Sequence, residues 1–190
     1  MLEKIPRSAE NFDRGEWLKK YIRTVPDWPK KGVMFRDITT LLKSREGFSK
    51  TIDILEERYC GMDIGVVVGI ESRGFIIGSA LADRLKLGIV PIRKKNKLPA
   101  KTVSEEYELE YGKDCIEMHE DAIKEGERVL LIDDLIATGG TAIASCKLIE
   151  KLKGEIVECG FVINLPDLGG RKKLEKEGYK TYALLEFEGG

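Results

Sequence analysis

The stretch Val129-Leu-Leu-Ile-Asp-Asp-Leu-Ile-Ala-Thr-Gly-Gly-Thr141 decides how this chain is read. From Arg128 to Asp133 it is a near-continuous aliphatic run, the pattern of a strand buried on both faces of a sheet. Two adjacent carboxylates follow, Asp133 and Asp134. A short loop of small residues and hydroxyls then opens into a helix expected over Thr141–Leu152, with Gly154 beyond its end. Gly139 and Gly140 permit positive φ and close backbone approach. Thr138 and Thr141 bring hydroxyls, and the helix start brings free N–H groups and about half a positive charge. Ala137 to Thr141 therefore make a phosphate cradle. The two acids repel a phosphate. They suit the hydroxyls of a sugar or a hard cation such as Mg²⁺. The ligand inferred is a phosphorylated sugar. A Gly-Gly pair alone would also fit a turn that merely starts a helix; the thirteen-residue string as a whole argues against that.

Outward from this segment, strands and helices alternate. Upstream, Gly65-Val-Val-Val-Gly-Ile70 is a second buried strand, followed by a helix from Gly74 to Leu85 and a strand from Ile89 to Arg93. Apolar and acidic residues alternate from Tyr107 to Tyr111, which predicts a strand with one wet face. Downstream, Ile156–Ile163 and Tyr179–Phe187 read as strands around a short helix near Arg171–Lys176. Trp17, Leu18, Tyr21, Ile22 and Val25 recur at helical spacing and predict an amphipathic helix over Asn11–Thr24, ended by Pro26 and Pro29. A further helix is expected over Ser44–Tyr59, capped by Ser44 and closed by Gly61. The fold class is thus α/β, a doubly wound, mostly parallel sheet flanked by helices. Such sheets bind ligands beyond the carboxyl ends of their strands, here after Ile70, Arg93 and Asp133.

Composition excludes several functions. The chain has 190 residues, with 32 Lys plus Arg against 33 Asp plus Glu, a net charge of −1, although 34% of residues are charged. That balance argues against a general nucleic-acid binder and against acidic disorder. No apolar run approaches the ~18 residues of a membrane span, and Met1–Glu10 has no signal-peptide stretch. Cys60, Cys115, Cys146 and Cys159 show no CxxC spacing, which fits a reduced cytoplasmic setting. With one His and scattered cysteines, a transition-metal site is not expected. No GxGxxG follows a strand and no GxxxxGK[ST] occurs, which disfavours dinucleotide enzymes and P-loop NTPases.

The Val129–Thr141 string resembles the phosphoribosyl-pyrophosphate (PRPP) signature of type I phosphoribosyltransferases. Pro26-Asp-Trp-Pro29, Gly32-Val-Met-Phe-Arg-Asp-Ile-Thr39, Gly69-Ile-Glu-Ser-Arg-Gly-Phe75, Arg93 to Pro99 and Leu109-Glu-Tyr-Gly112 resemble the adenine-using members of that family, in the same order. The resemblance runs from about Val25 to Phe187. It implies a single phosphoribosyltransferase domain over residues 1–190. Within it, residues 1–40 would hold an N-terminal helix and a base-binding hood segment, and residues 93–112 a flexible catalytic loop. The reaction implied is transfer of the 5-phosphoribosyl group from PRPP to adenine, giving AMP and pyrophosphate, as in purine salvage. Also implied are Mg²⁺, held mainly through PRPP and water without dedicated protein ligands, a cytoplasmic setting and a homodimer.

The resemblance carries roles onto particular residues. Asp133, Asp134 and Ala137, Thr138, Gly139, Gly140, Thr141 would bind the ribose and its 5′-phosphate. Glu71, Ser72, Arg73, Arg93, Lys94 and Lys97 would bind pyrophosphate; an Arg at a strand end can fork onto its oxygens. Five bases crowd residues 93–101, and no aromatic residue interleaves them as nucleic-acid binding would favour. Val33, Met34, Phe35 and Arg36 would form the base site, with Phe35 stacking on the purine. Arg73 and Glu110 would be catalytic, Glu110 moving a proton at a nitrogen of the purine imidazole ring, a contribution of about 10²–10⁴-fold. Asn96 stands where the family often has Gly, and Trp28 where it often has Phe; Asn tolerates left-handed backbone. Two alternatives compete with adenine transfer: another purine, hypoxanthine or guanine, and a PRPP-binding regulator without catalysis. The latter would need a DNA-binding module, for which the first 25 residues are too short.

Overall fold

The aliphatic run after Arg128 is the central strand of the molecule. The computed structural model describes residues 15–108 and 112–189. A 3₁₀ helix, Glu16–Tyr21, precedes β1 (Arg23–Pro26) and β2 (Met34–Asp37), then α1 (Thr39–Lys43) and α2 (Arg45–Tyr59). Next come β3 (Val66–Ile70), α3 (Arg73–Leu85), β4 (Gly88–Lys94), β5 (Thr102–Glu108) and β6 (Lys113–His119). The remainder is β7 (Arg128–Ile136), α4 (Gly140–Lys151), β8 (Glu155–Asn164), a 3₁₀ turn at Pro166–Leu168, α5 (Gly170–Lys176) and β9 (Thr181–Glu186).

Seven strands form one sheet in the order β5-β6-β4-β3-β7-β8-β9. The β4-β3-β7-β8-β9 block is parallel. Strands β6 and β5 extend it antiparallel at one edge. Successive residues of β3 and β7 point to opposite faces, and both faces are covered. Val66, Val68, Val129 and Leu131 join Cys146, Leu148 and Ile149 of α4 on one side. Val67, Leu130 and Ile132 join Ile52 and Leu55 of α2 and Ile77 and Leu81 of α3 on the other. Burial of each such aliphatic side chain stabilises the fold by roughly 1.5–3 kcal/mol. These two layers explain the unbroken hydrophobic runs, and they hold the strand ends where ligand chemistry is expected.

Three expectations are corrected. The helix expected over Asn11–Thr24 is, within the described residues, a 3₁₀ helix ending at Tyr21 and then a strand. Ile22, Thr24 and Val25 are β-branched, and the Pro26 end pairs with β2, Val25 opposite Phe35. Residues 11–14 lie outside the described residues. Strand β7 runs on to Ile136 because its ladder with β8 continues through Leu135 opposite Ile163. Asp134, expected just beyond a strand ending at Asp133, is therefore inside it. The strand read at Tyr107–Tyr111 begins earlier, at Thr102, and pairs in a seven-residue antiparallel ladder with β6, which the sequence reading did not register. Leu109, Glu110 and Tyr111 lie outside the described residues.

Candidate active site

Three chain segments meet at the carboxyl end of the sheet. The β3–α3 turn supplies Glu71, Ser72 and Arg73, β4 supplies Lys94, and the β7–α4 segment supplies Asp133 to Ala142. Together with Tyr107 of β5 and Asp114 of β6 they line a cavity of about 320 Å³. Every residue from Ala137 to Thr141 faces this space.

Close backbone approach builds the cradle. Gly139, the residue before α4, has φ +84°. A Cβ there would lie 2.9 Å from the Cα of Gly170, and a Cβ on Gly170 would lie 2.4 Å from the Ala137 carbonyl oxygen. The Gly170 N–H donates to that carbonyl at 3.0 Å, and Lys173 Nζ donates to the Thr138 carbonyl at 3.0 Å. The start of α5 thus clamps the loop from outside and leaves the α4 N–H groups facing the cavity. Gly170 was missed in the sequence; the adjacent Gly169-Gly170 pair was the available signal. Gly74 performs the same service for the acids. A Cβ on it would lie 2.8 Å from the Ile132 carbonyl and 2.9 Å from Asp133 Oδ1.

The charged groups are arranged in pairs. Arg73 Nε donates to Asp134, which is almost fully buried. Burial works against the Arg73 charge, but Asp134, through charge and hydrogen bond, and then Asp133 and Asp37, leave the guanidinium pKa raised. Asp133 accepts the Asp134 backbone N–H at 2.8 Å. Burial first, and the Asp134 charge second, push its carboxyl well above the usual range. Arg93 pairs with Glu71 at 3.2 Å, and Glu71 also accepts the Lys94 backbone N–H at 2.9 Å. Lys94 Nζ pairs with Asp114. Arg93 also donates to the Lys97 carbonyl at 3.1 Å. Arg93 and Lys97 are not among the residues lining the cavity, whereas Glu71, Ser72, Arg73 and Lys94 are.

Arg73 also borders a second cavity, of about 290 Å³, with Val25, Trp28, Phe35, Asp37 and Thr39. The Phe35 and Trp28 rings meet at 4.4 Å and 67°, giving one aromatic wall. Asp37 fixes the floor. It accepts Arg23 Nε at 3.1 Å, the Thr39 N–H at 2.8 Å and the Thr39 hydroxyl at 2.8 Å. Arg23 chiefly, with Thr39, holds its carboxyl down at about 2. Val33, Met34 and Arg36 are not among the residues bounding this cavity. Arg36 instead ties the hairpin to the C-terminal segment, donating to Thr24 Oγ1 at 2.6 Å and to the Glu188 carbonyl at 2.8 Å, and lying 4.7 Å from the Phe187 ring centroid. The proton-transfer residue expected at Glu110 lies outside the described residues. Tyr107 and Asp114 carry no motif of their own and were found only by their positions in space, and Asp37, within the Gly32–Thr39 stretch, has no role assigned from sequence.

A phosphate cradle, sugar-facing acids and an aromatic slot share one arginine. That is a site for joining a flat base to a phosphorylated sugar. The phosphoribosyl transferase domain family matches residues 38–187. The chain is 59% identical over 174 residues to the adenine phosphoribosyltransferase of Chlorobium phaeobacteroides, covering 90% of this chain and 98% of that one. Among solved structures, the adenine phosphoribosyltransferase of Thermoanaerobacter pseudethanolicus is similar at a TM-score of 0.87 and 48% identity, over 90% of this chain and 99% of that one. The enzyme of Saccharomyces cerevisiae, in complex with an imino-altritol bisphosphate and adenine, is similar at a TM-score of 0.84 and 39% identity, over 90% and 98% of the two chains.

Proposed function

This chain belongs to the phosphoribosyltransferase family, and from that premise we propose how its residues divide the work. The chain transfers the 5-phosphoribosyl group of PRPP to adenine, giving AMP and pyrophosphate. The observation that carries the assignment of residues is the position of Arg73 between the two cavities. A base in the second cavity and a ribose on Asp133 and Asp134 would meet beside it.

The 5′-phosphate sits on the N–H groups and hydroxyls of Ala137 to Thr141. The ribose hydroxyls donate to Asp133 and Asp134, which also lie near the positive charge that develops at C1′ as its bond to pyrophosphate breaks. Arg73, Ser72 and Lys94 receive the departing pyrophosphate, a charge that grows in the transition state and is best met by preplaced donors. Adenine stacks on Phe35, edged by Trp28. Its ring nitrogen attacks C1′ once both partners are held in line. Glu110, by its match to the family's glutamate, takes the proton that the imidazole ring sheds. Strand β5 lies against the start of α4, where a Cβ on Gly140 would meet the Glu108 carbonyl at 3.3 Å. That cover excludes water from PRPP.

Mg²⁺ fits the donor set. The acids at the first cavity are hard oxygen donors, and no group of three or more metal-ligating side chains is found among the described residues. Glu71, Asp114 and Asp134 each hold a cation of this chain and burial raises the Asp133 carboxyl pKa, so Mg²⁺ would be held mainly through PRPP and water. When bound, the ion would neutralise pyrophosphate charge.

The exposed apolar side chains Ile76 on α3 and Ile89 on β4 support assembly as a homodimer. The four free cysteines, including Cys146 and Cys159 with sulfurs 3.6 Å apart, support a reducing, cytoplasmic setting. No described helix is long and apolar enough to cross a membrane. The Glu110→Ala variant tests the division of labour. AMP formation should fall by about 10²-fold or more while pyrophosphate and PRPP still bind. Unchanged AMP formation would remove Glu110 from the mechanism.

A further inference from the structure

Three cations at or beside the pyrophosphate end of the site each hold a carboxylate of this chain. Arg73 holds Asp134, Arg93 holds Glu71 at 3.2 Å, and Lys94 holds Asp114. Two of those acids have other work. Asp134 stands with the sugar-facing acids, and Glu71 accepts the Lys94 backbone N–H at 2.9 Å. Asp114 has neither task. It stands on β6, opposite Tyr107 of β5. Its remaining bonds are local: it accepts the Cys115 N–H at 2.8 Å and the Tyr107 hydroxyl at 3.1 Å. Its hydrogen bond with Lys94 raises the ammonium pKa and lowers its own, so both groups are charged at neutral pH. A carboxylate at this position also faces the cavity that pyrophosphate must enter. Like charges there oppose entry.

We propose that Asp114 is a positioning residue that holds Lys94 before PRPP binds and yields it to the pyrophosphate group, weakening the grip on PRPP and on product pyrophosphate. When Lys94 turns to the ligand, Asp114 keeps two donors, Tyr107 and the Cys115 N–H. The exchange therefore leaves no buried carboxylate without a partner, which would be costly. The Lys94–Asp114 pair is partly exposed, with side-chain exposures of 56% and 21%, so the exchange is a modest adjustment of affinity rather than a lock. The inference rests on the reading that pyrophosphate lies beside Lys94.

Steady-state kinetics and titration with inorganic pyrophosphate test it in four proteins: wild type, Asp114→Asn, Asp114→Glu and Lys94→Gln. Asp114→Asn keeps an acceptor for Tyr107 and Cys115 but removes the charge. It should lower the KM for PRPP and the Kd for pyrophosphate by about threefold, with the KM for adenine unmoved. Asp114→Glu, which keeps the charge, should stay near wild type, and Lys94→Gln should raise both constants. Should Asp114→Asn melt early, Asp114→Ser is read in the same way. If Asp114→Asn raises or leaves unchanged both constants while Lys94→Gln raises them, pyrophosphate lies beside Lys94 but the exchange is wrong. If Lys94→Gln moves neither constant, the placement itself fails and the exchange fails with it.

Discussion

Arg73, the first residue of α3, is bonded through Nε to Asp134, the last acid before the phosphate loop, and it borders both cavities of the site. This pair ties the start of α3 to β7 and places one guanidinium between the two cavities. Arg73→Ala should reduce kcat/KM by about 10²–10³-fold. It should also lower stability by about 1–3 kcal/mol, because Asp134 stays buried without its partner. Arg73→Lys keeps the charge but not the planar fork, and should recover stability more than activity. Adding Asp134→Asn to Arg73→Ala should restore the melting temperature without restoring turnover, as read by thermal melts beside kinetics.

Phe35 meets Trp28 at 4.4 Å and forms the aromatic wall of the second cavity. Base–aromatic stacking is worth about 1–3 kcal/mol. Phe35→Ala should therefore raise the KM for adenine by about tenfold or more and leave the KM for PRPP near wild type. An equal rise in both KM values would mean that Phe35 supports the whole site rather than the base.

Gly74 leaves no room for a side chain. A methyl group there meets the Ile132 carbonyl at 2.8 Å and Asp133 Oδ1 at 2.9 Å. Both are fixed by the central strand, so Gly74→Ala should cost about 1–3 kcal/mol in denaturant unfolding and displace the sugar-facing acid, raising the KM for PRPP. Gly126→Ala is the contrast for space alone: no described residue lies within 4 Å of a Cβ there, and its φ of +75° leaves backbone strain as the cost. It should leave the KM for PRPP less affected than Gly74→Ala does.

Asp37 titrates at about 2 in the fold, below its usual 3.8, chiefly through its hydrogen bonds from Arg23. A depressed carboxyl contributes stability that is fully present above its unfolded pKa and is lost as pH falls through the folded value. The melting temperature of Asp37→Asn should lie about 2–4 °C below wild type near neutrality. The gap should narrow as the pH is lowered below about 4. Parallel melts from pH 7 to pH 3 check this; a gap that widens in acid would reverse the assignment.

The sheet was legible because its strands are buried on both faces, so Val66–Ile70 and Val129–Ile132 announce themselves without partners. The phosphate loop was legible because its glycines, threonines and helix start are contiguous. Asn96 was legible too: it takes the left-handed φ of +65° expected where the family often has Gly. What sequence could not convey is pairing across space. Asp114 and Lys94 are twenty residues apart and look like unrelated surface charges. Arg93 belongs to a basic run, yet it points to Glu71 and the Lys97 carbonyl rather than into the cavity. The segment before Pro26 misled because apolar residues at helical spacing also suit a short 3₁₀ turn followed by a strand, and only pairing with β2 decides between them.

The most direct test of the account is purine selectivity under one set of conditions. The purified protein is supplied with PRPP and Mg²⁺ and, separately, adenine, hypoxanthine and guanine, and pyrophosphate release is followed with nucleotide identification. The account predicts AMP and pyrophosphate in equal amounts from adenine, with little release from the other two bases. Release with guanine or hypoxanthine but not with adenine, or PRPP binding without release for any base, would contradict it.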